Sequence, residues 1–444
     1  MKKMLYRLLY ILITLVFFIA NFNLFALPPN DFVVPLCRLF SKDLLDLNTQ
    51  NYLSPTVKIM NTVTNTGFYH SAYVPSKVSK PYFRLSLNGM YGGVSEELRN
   101  FTPRFPMQEF NYNTALGYLG KNDTVGLLNY FLQTLIYQGV VVDKTIVVPE
   151  RASTALGVGD THLNLPHSVM AELLKTHPAM ALINIYYPDA ANLVEEAVAS
   201  LPENFTLYSG GDISRIIAGV PQLEIGSLYG TELLLRFIPP LDYGEYIGKF
   251  YFYGIGIKHS ISQYFYKENI CREVGSEIYN NNSFDENNQK RLIPSPFDVS
   301  VQFVYQNTGL KNIVGVTKAE LNAIGNIFDF NINVSKNFDN IIEVYTGLGY
   351  EHINVNGTYK YYLPYEMQIS LGLLKQDPND PDNWYVDGDE YPGDTEPQTT
   401  AVTVNENHIK FTLGVTRDIG PVTMFIDYSI SKFNVLSAGI QYRF

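Results

Sequence analysis

An all-β fold, a transmembrane antiparallel barrel of about twelve to fourteen strands behind a short helical, plug-like N-terminal segment, is the class this sequence predicts. Three observations predict it. The last ten residues, VLSAGIQYRF, set Leu436, Ala438, Ile440, Tyr442 and Phe444 on one strand face and Val435, Ser437, Gly439, Gln441 and Arg443 on the other. Side chains alternate along a strand, so one face is almost wholly apolar and ends in aromatics. From Gln222 onward such alternation recurs in segments of about ten residues, longer than sandwich strands and long enough to cross a bilayer when tilted. No run after Ala26 reaches the length of a spanning helix, so any insertion must use strands.

Composition agrees. The 444 residues include 33 Tyr and 27 Phe against a single Trp. Tyr suits both strands and membrane interfaces. Mean hydropathy is -0.04, as expected of a chain that is half polar by construction.

Taken in order, Met1 to Ala26 reads as a secretory signal: Lys2, Lys3 and Arg7, an apolar run from Leu8 to Ala20, then Leu24-Phe25-Ala26. Its removal shifts the net charge from -11 to -14, which argues against nucleic-acid binding. Residues 27–80 form the plug-like segment. Within it Val33, Leu36, Cys37, Phe40, Leu44 and Leu47 recur at helical spacing. Ser41 and Asp43 interrupt them, which favours two short helices. The segment either fills a lumen or lies under its periplasmic mouth.

The barrel then occupies 81–444, with polar insertions near 266–295 and 375–406. Its first strand is Tyr82 to Tyr91, with Phe83, Leu85, Leu87 and Tyr91 opposite Arg84, Ser86 and Asn88. The stretch from Gly93 to about Leu207 has no regular pattern. Val125 to Gln138 is either a buried helix or a strand pair, Leu182 to Tyr187 reads as a strand, and Asp189 to Ser200 as a helix. Further strands follow at Thr231 to Ile238, Lys249 to Ser262, Val299 to Tyr305, Phe328 to Ser335, Ile342 to Glu351, Ile409 to Val415 and Val422 to Ile430. Gly254, Gly256, Gly347 and Gly349 fall on polar faces, where strand curvature crowds side chains.

Working back from Phe444, the Arg417 to Pro421 turn is periplasmic and the acidic Lys375 to Glu406 segment extracellular. That segment holds Asp377, Asp380, Asp382, Asp387, Asp389, Glu390, Asp394 and Glu396. Its spacing fits no EF-hand, so it reads as a solvated loop. With Glu366 to Leu374 counted in the same excursion, Tyr266 to Ser295 falls in the periplasm together with the N-terminus. That places Cys37 and Cys271, the only cysteines, in one compartment. A disulfide and two free buried thiols both remain open.

The segments PQLEIGSLYGTELLLRFIPPL, GIGIKHSISQYF followed by SPFDVSVQFVYQ, and FTLGVTRDIGPVTMFIDYSISKFNVLSAGIQYRF resemble a family of uncharacterised outer-membrane proteins defined as a domain of unknown function. The resemblance covers roughly the C-terminal half. It implies a barrel, an outer-membrane location with lipid as partner, and a terminal Phe of the kind that outer-membrane insertion machinery reads. It implies no activity. Long-chain fatty-acid transporter barrels are more distantly similar, in architecture alone.

No GxSxG, HExxH or P-loop occurs, so an enzyme is not expected, nor a cofactor or metal. His162 and His167, near Asp160, read as loop decoration, and the neighbours His259 and Ser260 point to opposite strand faces. The functional candidates are charges on the polar faces: Arg84, Glu232, Arg236, Lys258, Asp298, Asp329, Glu343, Glu351, Lys410, Asp427 and Arg443. Such groups mark a pathway or pair into a structural network. Two functions follow as expectations: passage or binding of a small apolar ligand through a plugged lumen, and a closed-barrel surface adhesin or antigen with an acidic outer loop. A membrane hydrolase is disfavoured.

Overall fold

A computed structural model describes residues 30–76, 78, 80–121, 123–180, 198–242, 248–267, 293–294, 296–314, 319–338 and 341–444. The expected signal, the Leu182 to Tyr187 strand, most of the Asp189 to Ser200 helix, most of the Tyr266 to Ser295 insertion and Cys271 lie outside the described residues.

Helix α1, Asn30–Thr64, is one helix of 35 residues, not two short ones. Ser41 and Asp43 do not break it, because each has a partner on a neighbouring element. Ser41 Oγ donates to Met367, and Asp43 accepts from Asn129 and Gln133 at 2.6 and 2.8 Å.

Among the described residues ten strands form the barrel wall: β1 Tyr82–Gly93, β2 Arg215–Leu228, β3 Thr231–Asp242, β4 Lys249–Ser260, β5 Asp298–Val314, β6 Ala319–Phe338, β7 Ile342–Tyr361, β8 Gln398–Ile419, β9 Val422–Ile430 and β10 Val435–Arg443. Each pairs antiparallel with its sequence neighbours, and β1 closes the ring against β10, with Arg84 opposite Arg443 and Leu87 opposite Ile440. The chain is thus a closed transmembrane barrel of ten strands, fewer than the twelve to fourteen expected. Spacing alone overcounts, because the middle of the chain adds no staves and several strands run far past ten residues. β6 and β7 have 20 residues each and β8 has 22. At about 3.3 Å per residue such strands greatly exceed an apolar band roughly 25 Å tall.

The missing staves became a cap at one end of the barrel. The described residues between β1 and β2 lie there and supply α2 Tyr112–Gly120, α3 Thr124–Tyr137 and α4 His167–Thr176. Of the two readings open for Val125 to Gln138, α3 is the helical one; Asp123 caps it by accepting from the Gly126 amide at 2.8 Å. Residues 362–397 bridge β7 and β8 at the same end and carry α5, Tyr365–Ser370, and a small hairpin. Strand β8 begins at Gln398, so the last nine residues of the expected 375–406 loop are barrel wall.

The opposite, turn end holds the short β2–β3 and β8–β9 connections and Phe444, whose amide donates to the Phe83 carbonyl at 3.0 Å. The 261–297 connection also leaves from this end. The first half of α1 is at the other end. Val33, Leu36, Cys37, Phe40 and Leu44 pack with Leu132, Leu135, Leu173, Phe205 and Met367 in the core of the cap. α1 thus threads the barrel from the cap downward, and the expected sharing of one compartment by Cys37 and Cys271 falls outside the described residues. Cys37 is a free thiol with no exposed surface, and burial pushes it up to about 12, so it stays protonated.

Candidate functional site

Below the cap, α1 enters the lumen. Leu53 and Val57 pack on Leu321, Ile327, Ile353, Val355, Val402 and Val404. Ile59 and Val63 meet Met90, Val220, Phe252 and Val435. A helix satisfies its own backbone, so an apolar wall suffices around it. After Thr64 the helix stops and the chain continues irregularly down the axis. There its carbonyls and amides need partners, and the wall turns polar.

The partners are side chains from strands all round the ring. Arg236 on β3 gives one Nη to the Thr64 carbonyl at 3.0 Å and the other to Thr66 and Gly67 at 2.7 and 2.5 Å. Its Nε reaches Gln222 at 2.8 Å, and its guanidinium lies 4.2 Å from the Phe68 ring centre. Lys410 on β8 donates to the Asn65 carbonyl at 2.6 Å, Asp329 at 2.7 Å and Glu351 at 3.3 Å. Both cations thus sit at the C-terminal, electronegative end of α1, where helix carbonyls lack intrahelical partners. Asn88 donates to Gly67, and Thr416 to the His70 carbonyl at 2.6 Å. Ser335 accepts from the Ala72 amide, and Ser71 donates to Glu343 at 2.6 Å.

Two glycines make the fit possible. Gly67 has φ +64°, a left-handed turn that brings its carbonyl to Asn88 and Arg236. A Cβ on Gly347 would collide with the Tyr69 hydroxyl. The polar-face glycine at 347 thus makes room for the segment inside.

A second cluster lies nearer the turn end. Glu232 accepts from Tyr82 at 2.6 Å, Lys258 at 2.7 Å and Arg84 at 3.0 Å. Glu224 accepts from Gln222 at 2.7 Å and Gln441 at 3.1 Å. Asp427 accepts from Tyr345 at 2.9 Å.

Of the charges singled out in the sequence, Glu232, Arg236, Lys258, Asp298, Asp329, Glu343, Glu351, Lys410 and Asp427 are buried and Arg84 is nearly so. Arg443 lies at the turn-end mouth, half-buried, with its guanidinium 5.0 Å from the Tyr82 ring centre. Sequence reasoning missed Gln222 and Glu224, although Leu223 and Ile225 flank them in the same alternation. It also missed Asn65 to Tyr73, which has no periodicity to read. The loop histidines are engaged locally: His162 meets Thr206 at 2.9 Å and His167 the Leu201 carbonyl at 2.7 Å. Among the described residues no group of three or more His, Cys, Asp and Glu could hold a metal ion.

A family model matches residues 1–444 and decides the family. The chain belongs to DUF6588, a family of unknown function. No curated protein matches this DUF6588 chain in sequence. Among solved structures it is similar to Ail, the attachment invasion locus protein of Yersinia pestis, at 8% identity and TM-score 0.20, covering 48% of this chain and 93% of that one. It is similar to the translocator domain of the autotransporter NalP from Neisseria meningitidis at 8% identity and TM-score 0.24, covering 90% and 99%. The outer-membrane protein OpdK from Pseudomonas aeruginosa follows at 7% identity and TM-score 0.11, covering 83% and 100%. Scores this low carry no argument, and the physical reading rests on the chain itself.

Proposed function

We propose that this DUF6588 protein is an outer-membrane barrel held shut by its own N-terminal segment, and that it serves to anchor and display the cap. The observation that carries this reading is the grip of Arg236 and Lys410 on the carbonyls of Thr64, Asn65, Thr66 and Gly67. Hydrogen bonds to charged groups contribute about 1.5–3 kcal/mol each, so four of them in a water-poor lumen form a lock.

Short turns of such barrels face the periplasm, which sets the turn end inward and the cap outward. Further ties hold α1 to the rim. Arg38 pairs with Asp394 and Glu396 at 2.7 and 2.9 Å, and Lys58 pairs with Glu406, which Lys432 also reaches at 3.1 Å. Asp394, expected in a solvated loop, is thus spent on α1. Passage of a small apolar ligand, the other expectation, requires these bonds to break before a path opens.

Liposome swelling with arabinose tests the reading. The intact protein should swell no faster than protein-free liposomes, and the Arg236→Ala/Lys410→Ala variant should admit the sugar. Free entry of arabinose through the intact protein would overturn it.

A further inference from the structure

Where α1 passes from cap to barrel, a cleft of about 710 Å³, its open mouth included, remains between three elements. One wall is a stripe of α1: Leu44, Leu45, Asn48 and Tyr52 recur at the spacing that stacks side chains on one helix face. The second wall is the Phe205 to Tyr208 run, and the floor is Tyr359 and Tyr361 at the upper end of β7. Small-molecule sites are mostly apolar with a few placed polar groups. We propose that this cleft is a binding site for a small, uncharged, aromatic ligand carrying one hydrogen-bond acceptor.

Charge is decided by what lines the cleft. No Asp, Glu, Lys, Arg or His is among its lining residues, so an ionised ligand would leave its charge uncompensated. Ring character is decided by the tyrosines and phenylalanines, whose faces and edges suit offset stacking.

The acceptor follows from the hydrogen bonds already made. Asn48 uses its side-chain amide on the Leu44 and Arg104 carbonyls, both at 2.6 Å, and its oxygen on the Arg104 amide. Thr49 donates to Leu45, Tyr52 to Ser209, and Tyr208 to Glu366 at 2.6 Å. Tyr361 differs: its hydroxyl is buried and makes no hydrogen bond among the described residues. Buried polar groups are rarely left so, and a ligand acceptor beside that hydroxyl satisfies it. The site stands apart from the lumen lock and does not depend on whether the barrel conducts.

The test uses the full chain in nanodiscs and equilibrium dialysis against empty nanodiscs, with 2-naphthol and naphthalene-2-carboxylate as probes. Binding of 2-naphthol should saturate, with the carboxylate at least tenfold weaker. Tyr361→Phe should weaken 2-naphthol about fivefold, the worth of one neutral hydrogen bond, and leave the unfolding midpoint unchanged, since that hydroxyl has no partner to lose among the described residues. Thr206→Trp, which fills the cleft, should abolish uptake. The proposal is overturned by uptake no greater than that of empty nanodiscs, by equal uptake of the carboxylate, or by uptake that both variants leave unchanged.

Discussion

From Ile342 to Glu351, strand β7 turns Ile342, Val344, Leu348 and Tyr350 outward and Glu343, Tyr345 and Glu351 inward. From His352 to Tyr361 the same pleat turns His352, Asn354, Asn356, Thr358 and Lys360 outward and buries Ile353, Val355, Tyr359 and Tyr361. Parity never slips, yet the chemistry of the two faces exchanges. Strand β8 does the same: Val402 and Val404 are buried above and Lys410, Thr412 and Thr416 below, while Thr403, Asn405 and Asn407 outside give way to Ile409, Phe411 and Leu413. Two independent solvents change at one height. Outside, lipid replaces water; inside, an irregular segment that needs hydrogen bonds replaces a helix that does not. A barrel can therefore be membrane protein in one half and water-soluble protein, wrapped round a helix, in the other.

The largest effect should come from removing a lower-zone charge. Lys410→Ala leaves Asp329 and Glu351 buried without their cation, and breaking such a pair destabilises by roughly 3–5 kcal/mol. Urea unfolding in liposomes should show that loss, and adding Asp329→Asn and Glu351→Gln should recover most of it. An undiminished midpoint in the single variant would mean that water reaches this part of the lumen.

Next in size is the outer face. Phe330→Arg sits in the lipid band and should lose roughly 2–4 kcal/mol, whereas Asn356→Arg, outward on β7 above the change, should stay within about 0.5 kcal/mol. Equal losses at the two positions would move the boundary.

A smaller effect separates the cap from the barrel by pH. His177, which follows α4, accepts from the Ala179 amide at 3.3 Å, meets Thr134 at 3.2 Å and lies between Phe110 and Phe131. Burial holds it down at about 4, against an ordinary 6.5. Between those values the unfolded chain binds the proton and the folded cap does not, so the contribution of His177 is complete above pH 6.5 and is lost as pH falls toward 4. The loss is roughly 2 kcal/mol after allowance for solvent screening. Amide protection factors, taken against the intrinsic exchange rate at each pH, should fall in α3 and α4 over that window and hold in β7 and β8, and His177→Gln should flatten the response.

The same exchange of faces explains what was legible beforehand. Phe328 to Ser335, Ile342 to Glu351 and Ile409 to Val415 are readable because one solvent pairing holds throughout each. Their upper continuations, from Ala319, to Tyr361 and from Gln398, were missed because the apolar face there is the opposite one. The candidate charges were legible for a related reason: an ionisable residue opposite a lipid-facing row has nowhere to go but inward. What each charge holds was not legible, because Arg236 and Thr64 are distant in sequence and Asn65 to Tyr73 repeats nothing.

By itself, then, the sequence determined the barrel class, the staves within the membrane band and the inward set of charges, since all three follow from local alternation against one solvent. Only the tertiary structure decided that ten strands close the ring, that α1 enters from the cap end, and that the lumen cations serve a helix terminus. These are matters of long-range closure, and local pattern carries no record of which residues will meet. The closing VLSAGIQYRF strand names its own two faces; its partner across the seam, β1, is some 350 residues away in the chain.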